Sequence, residues 1–201
     1  ARFDLFLLDL ARSVGDVDRG IAETLAELLD AGAGAARLDD RRLEVGVGLA
    51  ELLGDAGTQS AALRAGGYLE TVVDGTRDAL HADVSSLYLV DRDGAYLTLA
   101  ATNGLDHYQI GRARVPFGEG VTGRVAASRE PLVIPDVRAD ARFLWVRGID
   151  QRRFVASMLS VPLIWHDQTV GVLNVQTEQP RDFSGSDADQ LRAVADLLAG
   201  I

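Results

Sequence analysis

Apolar residues along the chain follow helical spacing first, alternate in the middle, and return to helical spacing at the end. Phe3, Phe6, Leu7 and Leu10 stand at i, i+3, i+4, i+7. Ile21, Leu25, Leu28 and Leu29 form a second stripe behind Asp16 or Asp18 as a helix N-cap. The glycines within Ala31 to Ala36 break that run. Leu43, Val45, Val47 and Leu49 alternate, yet Leu49, Leu52 and Leu53 suit a helix, and a helix is expected here. Residues 54–57 form a turn. A further helix is expected over 59–81, with Leu69, Val72, Val73 and Leu80 on its buried face. Gly66-Gly67 costs it ~2 kcal/mol of propensity, which argues for a start at Tyr68.

From Val84 the period becomes two. Val84 to Val90 and Ala95 to Asn103 read as strands joined by the Asp91-Arg92-Asp93-Gly94 turn, and so tight a connection makes them antiparallel. Gly118-Glu119-Gly120 opens a short helix over 121–128, and Pro131 to Ile134 is a short strand. Residues 136–154 are irregular and rich in arginine and aromatics. Ala156 to Ile164 and Thr169 to Thr177 form a second hairpin across His166-Asp167-Gln168. A last helix starts near Ser184 or Ser186, with Leu191, Val194, Ala195, Leu197 and Leu198 inward and Asp187 and Asp189 in its first turn.

Both strand faces carry apolar residues. Leu87, Leu89, Leu159, Val161 and Leu163 suit one face; Val84, Tyr88, Met158 and Pro162 suit the other. A sheet apolar on both sides is covered on both sides. The first and last helices can cover one, leaving the irregular middle to cap the other, a common way to build a ligand cavity. The expected class is therefore α/β in the α+β sense: residues 1–57 a helical extension, residues 58–201 the sheet domain.

Composition narrows the chemistry. At 47% apolar and 25% charged the chain is globular. All 20 cationic side chains are arginine and there is no cysteine. That removes P-loop and Schiff-base lysines, thiolate nucleophiles, zinc–cysteine sites and iron–sulfur clusters. A GC-rich genome accounts for the missing lysines. The lack of cysteine fits a cytoplasmic protein. No apolar run approaches a membrane span. The net charge of −10 argues against a nucleic-acid surface. The chain starts at Ala1 and its one methionine is Met158, so it looks like a piece of a longer protein, with a helix expected to run on past Ile201.

Charge is uneven. Residues 112–153 hold nine arginines against five acids, net +4, inside an acidic chain. His81, His107 and His166 show no metal-ligand spacing, and no nucleophile–base or paired-carboxylate set is visible, so no catalytic residue is assigned.

In this order, "ADVSSLYLVD" (82–91), "VPFGEGVTGRVAASREPLVIPDV" (115–137), "DARF" (140–143), "MLSVPL" (158–163), "VGVLNVQT" (170–177) and "FSGSDADQLRAVA" (183–195) resemble a GAF domain, a small-molecule sensor module of signalling proteins. The similarity spans about Tyr68 to Leu198 and is nearest in flavour to GAF domains of bacterial sensor histidine kinases and of the nitrogen-branch phosphotransferase enzyme I. The resemblance implies a central antiparallel sheet of five or six strands, with terminal helices on one face that often dimerise. It places a pocket roofed by short helices and loops on the other face.

Within that frame the candidate ligand-binding residues are Tyr88, Phe117, Arg124, Phe143, Arg153, Phe154, Met158 and Asn174. The arginines either line the pocket and hold an anion bidentately, or pair at the surface with Asp136, Asp140 and Asp150. The aromatics either form the cavity wall or are plain core. Asn174 and Gln176 interrupt an apolar strand and need partners if buried. Gly118, Gly120 and Gly123 either present a helix N-terminus to an anion or make a tight turn, and Glu119 opposes the first role. Heme is disfavoured because no histidine lies in 142–158. The bilin and methionine-sulfoxide-reductase branches of the family need cysteine, and one cyclic-nucleotide signature needs lysine. The expectation is thus a non-catalytic regulatory module: it binds a small, preferably anionic, ligand, forms a homodimer and signals through its terminal helices. The alternative is a ligand-free dimerisation and coupling unit.

Overall fold

The computed structural model describes residues 59–143 and 155–199. The expected N-terminal extension, with Arg147, Arg152, Arg153 and Phe154, lies outside them. Helix α1 runs from Gln59 to Ala79, straight through Gly66-Gly67. Burial of Val72, Val73 and Thr76 against the sheet outweighs the glycine penalty, as packing commonly outweighs propensity. The helix closes in a Schellman motif: His81 is left-handed at φ 50°, Ala82 N–H donates to Arg77 O at 2.9 Å, and His81 N–H to Asp78 O at 3.3 Å.

Strands β1 (Val84–Val90) and β2 (Tyr96–Asn103) form the first hairpin, with Gly94 at φ 70° in the turn. Strand β3 (Arg114–Pro116) pairs with β2. Its three residues are too few to show a period, and no strand is expected there from the sequence. Helix α2 (Gly120–Ser128) follows and ends on Arg129 at φ 61°. Next come β4 (Leu132–Ile134), β5 (Ser157–Trp165) and β6 (Gln168–Thr177). The turn between β5 and β6 is tighter than expected. Trp165 pairs with Gln168, and only His166 and Asp167 lie between, at φ 45° and 59°, as a two-residue hairpin turn requires. Helix α3 (Gly185–Ala199) starts from a capping box: Ser184 N–H donates to Asp187 Oδ2 at 2.8 Å and Asp187 N–H to Ser184 Oγ at 3.2 Å.

The six strands form one antiparallel sheet in the order β3-β2-β1-β6-β5-β4. Helix α1 lies over β1 and β2, and α3 over β5 and β6, on the same face. Leu87, Leu159, Val161, Leu163, Leu173 and Val175 meet Val72, Val73, Leu191, Val194 and Ala195 there. The opposite face carries α2 and two separate apolar clusters, one around Tyr88 and one around Met158. The two-faced division expected from alternation is the one observed. Among the described residues no helix is long and apolar enough to cross a membrane.

Candidate functional site

The face under α2 is ordered by register into three rows. Leu99, Tyr88, Val172 and Pro162 stand side by side across β2, β1, β6 and β5. Val84, Gln176, Met158 and Ile134 form a parallel row across β1, β6, β5 and β4. Between them runs a polar row of Thr102, Ser86, Asn174 and Ser160, closed by Leu132. Thr122 in the first turn of α2 meets this row from above: Asn174 Nδ2 donates to Thr122 Oγ1 at 3.1 Å.

All five polar residues are buried, with exposures from 0% at Ser160 to 7% at Thr122. Thr102 Oγ1 donates to Ser85 O at 3.0 Å. Asn174 Oδ1 and Ser160 Oγ have no hydrogen-bond partner. Buried polar atoms are overwhelmingly paired in folded proteins, because leaving one unpaired costs about 1–3 kcal/mol. Two unpaired atoms on facing residues of adjacent strands give this buried floor unused hydrogen-bonding capacity, as Tyr68 Oη, Thr76 Oγ1 and Ser85 Oγ do elsewhere in the fold. Burial pushes the Tyr88 phenol well above its ordinary pKa, so it stays neutral beside this floor.

Tyr88, Met158 and Asn174, from the expected set, are brought to this face, with Tyr88 and Met158 in the rows either side of Asn174. Phe143 is half-buried against the Met158 cluster. Phe117 is 38% exposed in the turn after β3. Arg124 lies on the exposed side of α2, whose buried side is Val121, Thr122, Val125 and Ala126. Arg153 and Phe154 are outside the described residues. Ser86, Ser160 and Thr122 were not singled out from sequence. Small polar residues in strands carry no pattern of their own, and the one signal available was the adjacent polar positions Asn174 and Gln176.

The basic block is a surface feature among the described residues. Arg112, Arg114, Arg124, Arg129, Arg138 and Arg142 are all exposed. Arg112 stacks 4.2 Å from the Tyr108 ring centroid, and Arg114 lies 4.3 Å from that of Tyr96 while pairing with Asp91. Arg142 donates from Nε to Asp140 Oδ1 at 2.8 Å and from Nη2 to Oδ2, and hydrogen bonding from this guanidinium above all holds the Asp140 carboxyl down at about 2, with Arg124 a minor contributor. The glycine turn before α2 is a packing device. A Cβ on Gly123 would lie 2.2 Å from Pro116 O, and the Gly118 N–H already donates to Gly123 O at 2.9 Å. Among the described residues, His, Asp and Glu form no cluster suited to a metal ion.

Comparison with known proteins adds identity to this geometry. The model of the GAF domain family matches residues 67–201. The Nif-specific regulatory protein of Azospirillum lipoferum is 34% identical over 119 residues, 56% of this chain and 19% of that protein. The phosphoenolpyruvate-dependent phosphotransferase system protein of Escherichia coli (strain K12) is 31% identical over 123 residues, 61% of this chain and 16% of that protein. The chain thus spans less than a fifth of these relatives. Among solved structures, the GAF domain from an Acinetobacter phosphoenolpyruvate-protein phosphotransferase superposes with TM-score 0.62 at 26% identity, covering 81% of this chain and 93% of that one.

Proposed function

The chain belongs to the GAF domain family, and we propose that it is a non-catalytic regulatory module that binds a small ligand under α2 and relays occupancy through α1 and α3. The observation that carries this reading is the buried polar row with Asn174 Oδ1 and Ser160 Oγ unpartnered. What sets this row apart from the other unpaired buried atoms, at Tyr68, Thr76 and Ser85, is that four small polar residues line up across four strands beneath Thr122, where apolar side chains would pack at less cost. The sheet joins the two sides: β1, β5 and β6 present alternate residues to the floor and to the helices. A ligand that favours one arrangement of the floor strands biases the helices packed on their backs. Signalling to an output domain, homodimer formation and cytoplasmic action are parts of the same proposal. They are supported by the regulatory relatives and by the placement of α1 and α3 on one face.

One observation favours a second reading, a ligand-free coupling unit: the floor is closed, with every polar residue at 7% exposure or less. A thermal-shift screen of the 201-residue chain against small metabolites separates the two. Stabilisation that is lost in Asn174→Leu supports ligand sensing; no stabilisation by any compound leaves the coupling unit.

A further inference from the structure

The proposed site has a floor with a definite chemical preference. We infer that it receives an uncharged hydrogen-bonding group of the ligand, of the carboxamide type, and rejects a carboxylate or phosphate. The inference rests on the ligand-binding reading above and narrows it to a class.

Three observations converge. First, the floor holds no charge: Thr102, Ser86, Asn174, Ser160 and Thr122 are all neutral, and the flanking rows add only Gln176 and Tyr88 as polar side chains. Second, the floor is at most 7% exposed, and a buried anion without a counter-charge is far costlier than a buried amide. The described arginines of the basic block do not supply that counter-charge, since they stand at the exposed surface. Third, the unpaired atoms are complementary to an amide. Asn174 Nδ2 is committed to Thr122 Oγ1, which leaves Oδ1 asking for a donor. Ser160 Oγ can donate. The two residues are directly opposite on β6 and β5, where side chains stand about 4.5–5.5 Å apart at Cβ. A carboxamide presents an N–H to Asn174 Oδ1 and a carbonyl oxygen to the Ser160 hydroxyl. A carboxylate has no proton for Oδ1 and sets negative oxygen against it. Turning the Asn174 amide over exchanges donor and acceptor but still provides no positive charge. Tyr88 and Met158, in the rows on either side, offer apolar surface to the rest of the ligand.

Two measurements test this. In Asn174→Asp a carboxyl replaces the amide at equal size. A floor that rejects charge keeps that carboxyl protonated above its ordinary range, so stability relative to wild type is retained at pH 4 and falls as pH rises to 8. A difference from wild type that does not change with pH overturns the inference. The second measurement titrates the 201-residue chain with three matched pairs: benzamide and benzoate, nicotinamide and nicotinate, propionamide and propionate. The Asn174 side-chain amide resonance is followed. At least one amide should bind about 10-fold or more tighter than its acid and weaken about 3- to 10-fold in Ser160→Ala, the scale of one hydrogen bond. Acids that move the resonance equally or better overturn the neutral class and leave ligand sensing standing. Six probes that leave it unmoved also overturn the inference, while the thermal screen decides ligand sensing independently.

Discussion

Arg181 donates from Nη2 to Asp187 Oδ1 at 2.8 Å, which ties the segment after β6 to the first turn of α3. The same guanidinium donates from Nη1 to the Leu80 carbonyl at 2.5 Å, just past α1, and lies 4.7 Å from the Phe183 ring centroid. Its backbone N–H donates to Ser157 Oγ, which in turn donates to Pro135 O at 2.6 Å. One side chain therefore holds the end of α1 to the start of α3 beside the first residue of β5. Arg181→Gln should cost about 1–3 kcal/mol in urea unfolding, as expected for charge-assisted bonds to partly buried acceptors. A double-mutant cycle with Asp187→Ala should show positive coupling between the two. Additive effects would mean that the pair contributes nothing as a pair.

Gly123 is the point where α2 touches the turn that precedes it. Any β-carbon there meets Pro116 O at 2.2 Å, and that atom is backbone, which cannot swing aside. Gly123→Ala is expected to destabilise the domain by about 1–3 kcal/mol, although alanine is the better helix former. Calorimetry showing a stabilised variant would refute this account of the turn.

Arg129 closes α2 in the left-handed region, at φ 61°, where a side chain is strained and glycine is not. Arg129→Gly should raise stability by up to about 1 kcal/mol. It leaves the floor untouched, so fragment binding should not change. Loss of binding in this variant would bring Arg129 into the site.

Asp140 offers a pH test. Its folded pKa is depressed to about 2, chiefly by the Arg142 hydrogen bond, below the ordinary carboxylate value near 3.8. A group depressed in this way adds stability above its unfolded pKa, and the contribution is lost as pH falls through about 2. Carboxyl-carbon NMR should place the Asp140 midpoint there. In Arg142→Gln it should return toward 3.8, and an unmoved midpoint would assign the depression to another cause.

The sheet was legible wherever a strand was long enough to alternate. Val84 to Val90 and Ala156 to Ile164 declared both their state and their two faces. Strand β3 was not legible, because its one buried valine between Arg114 and Pro116 fits a loop as well as a strand, whereas the equally short β4 shows the unbroken apolar run Leu132-Val133-Ile134. Met158 and Asn174 stood out as a large apolar residue and a polar interruption in apolar strands. Ser86 and Ser160 did not, since a buried serine is unremarkable until a neighbouring strand aligns it with others. That alignment belongs to register: Ser86 meets Asn174 across 88 positions, and Ser160 meets it across the β5–β6 hairpin, whose register depends on the turn being two residues rather than three. Arg124 stands in the basic segment expected to roof the pocket. It faces outward because the helix turns about 100° per residue and 121, 122, 125 and 126 already define the inner side.

The sheet ends on strands of three residues on each side, β3 carrying Pro116 and β4 preceded by Pro131. Sheets spread from molecule to molecule by recruiting another chain along an outer strand, and a short strand with proline at or beside it is a poor template for that growth. The architecture therefore disfavours uncontrolled lateral polymerisation. Among the described residues this leaves helices and loops, rather than sheet edges, as the surfaces on which the amino-acid sequence can specify a partner.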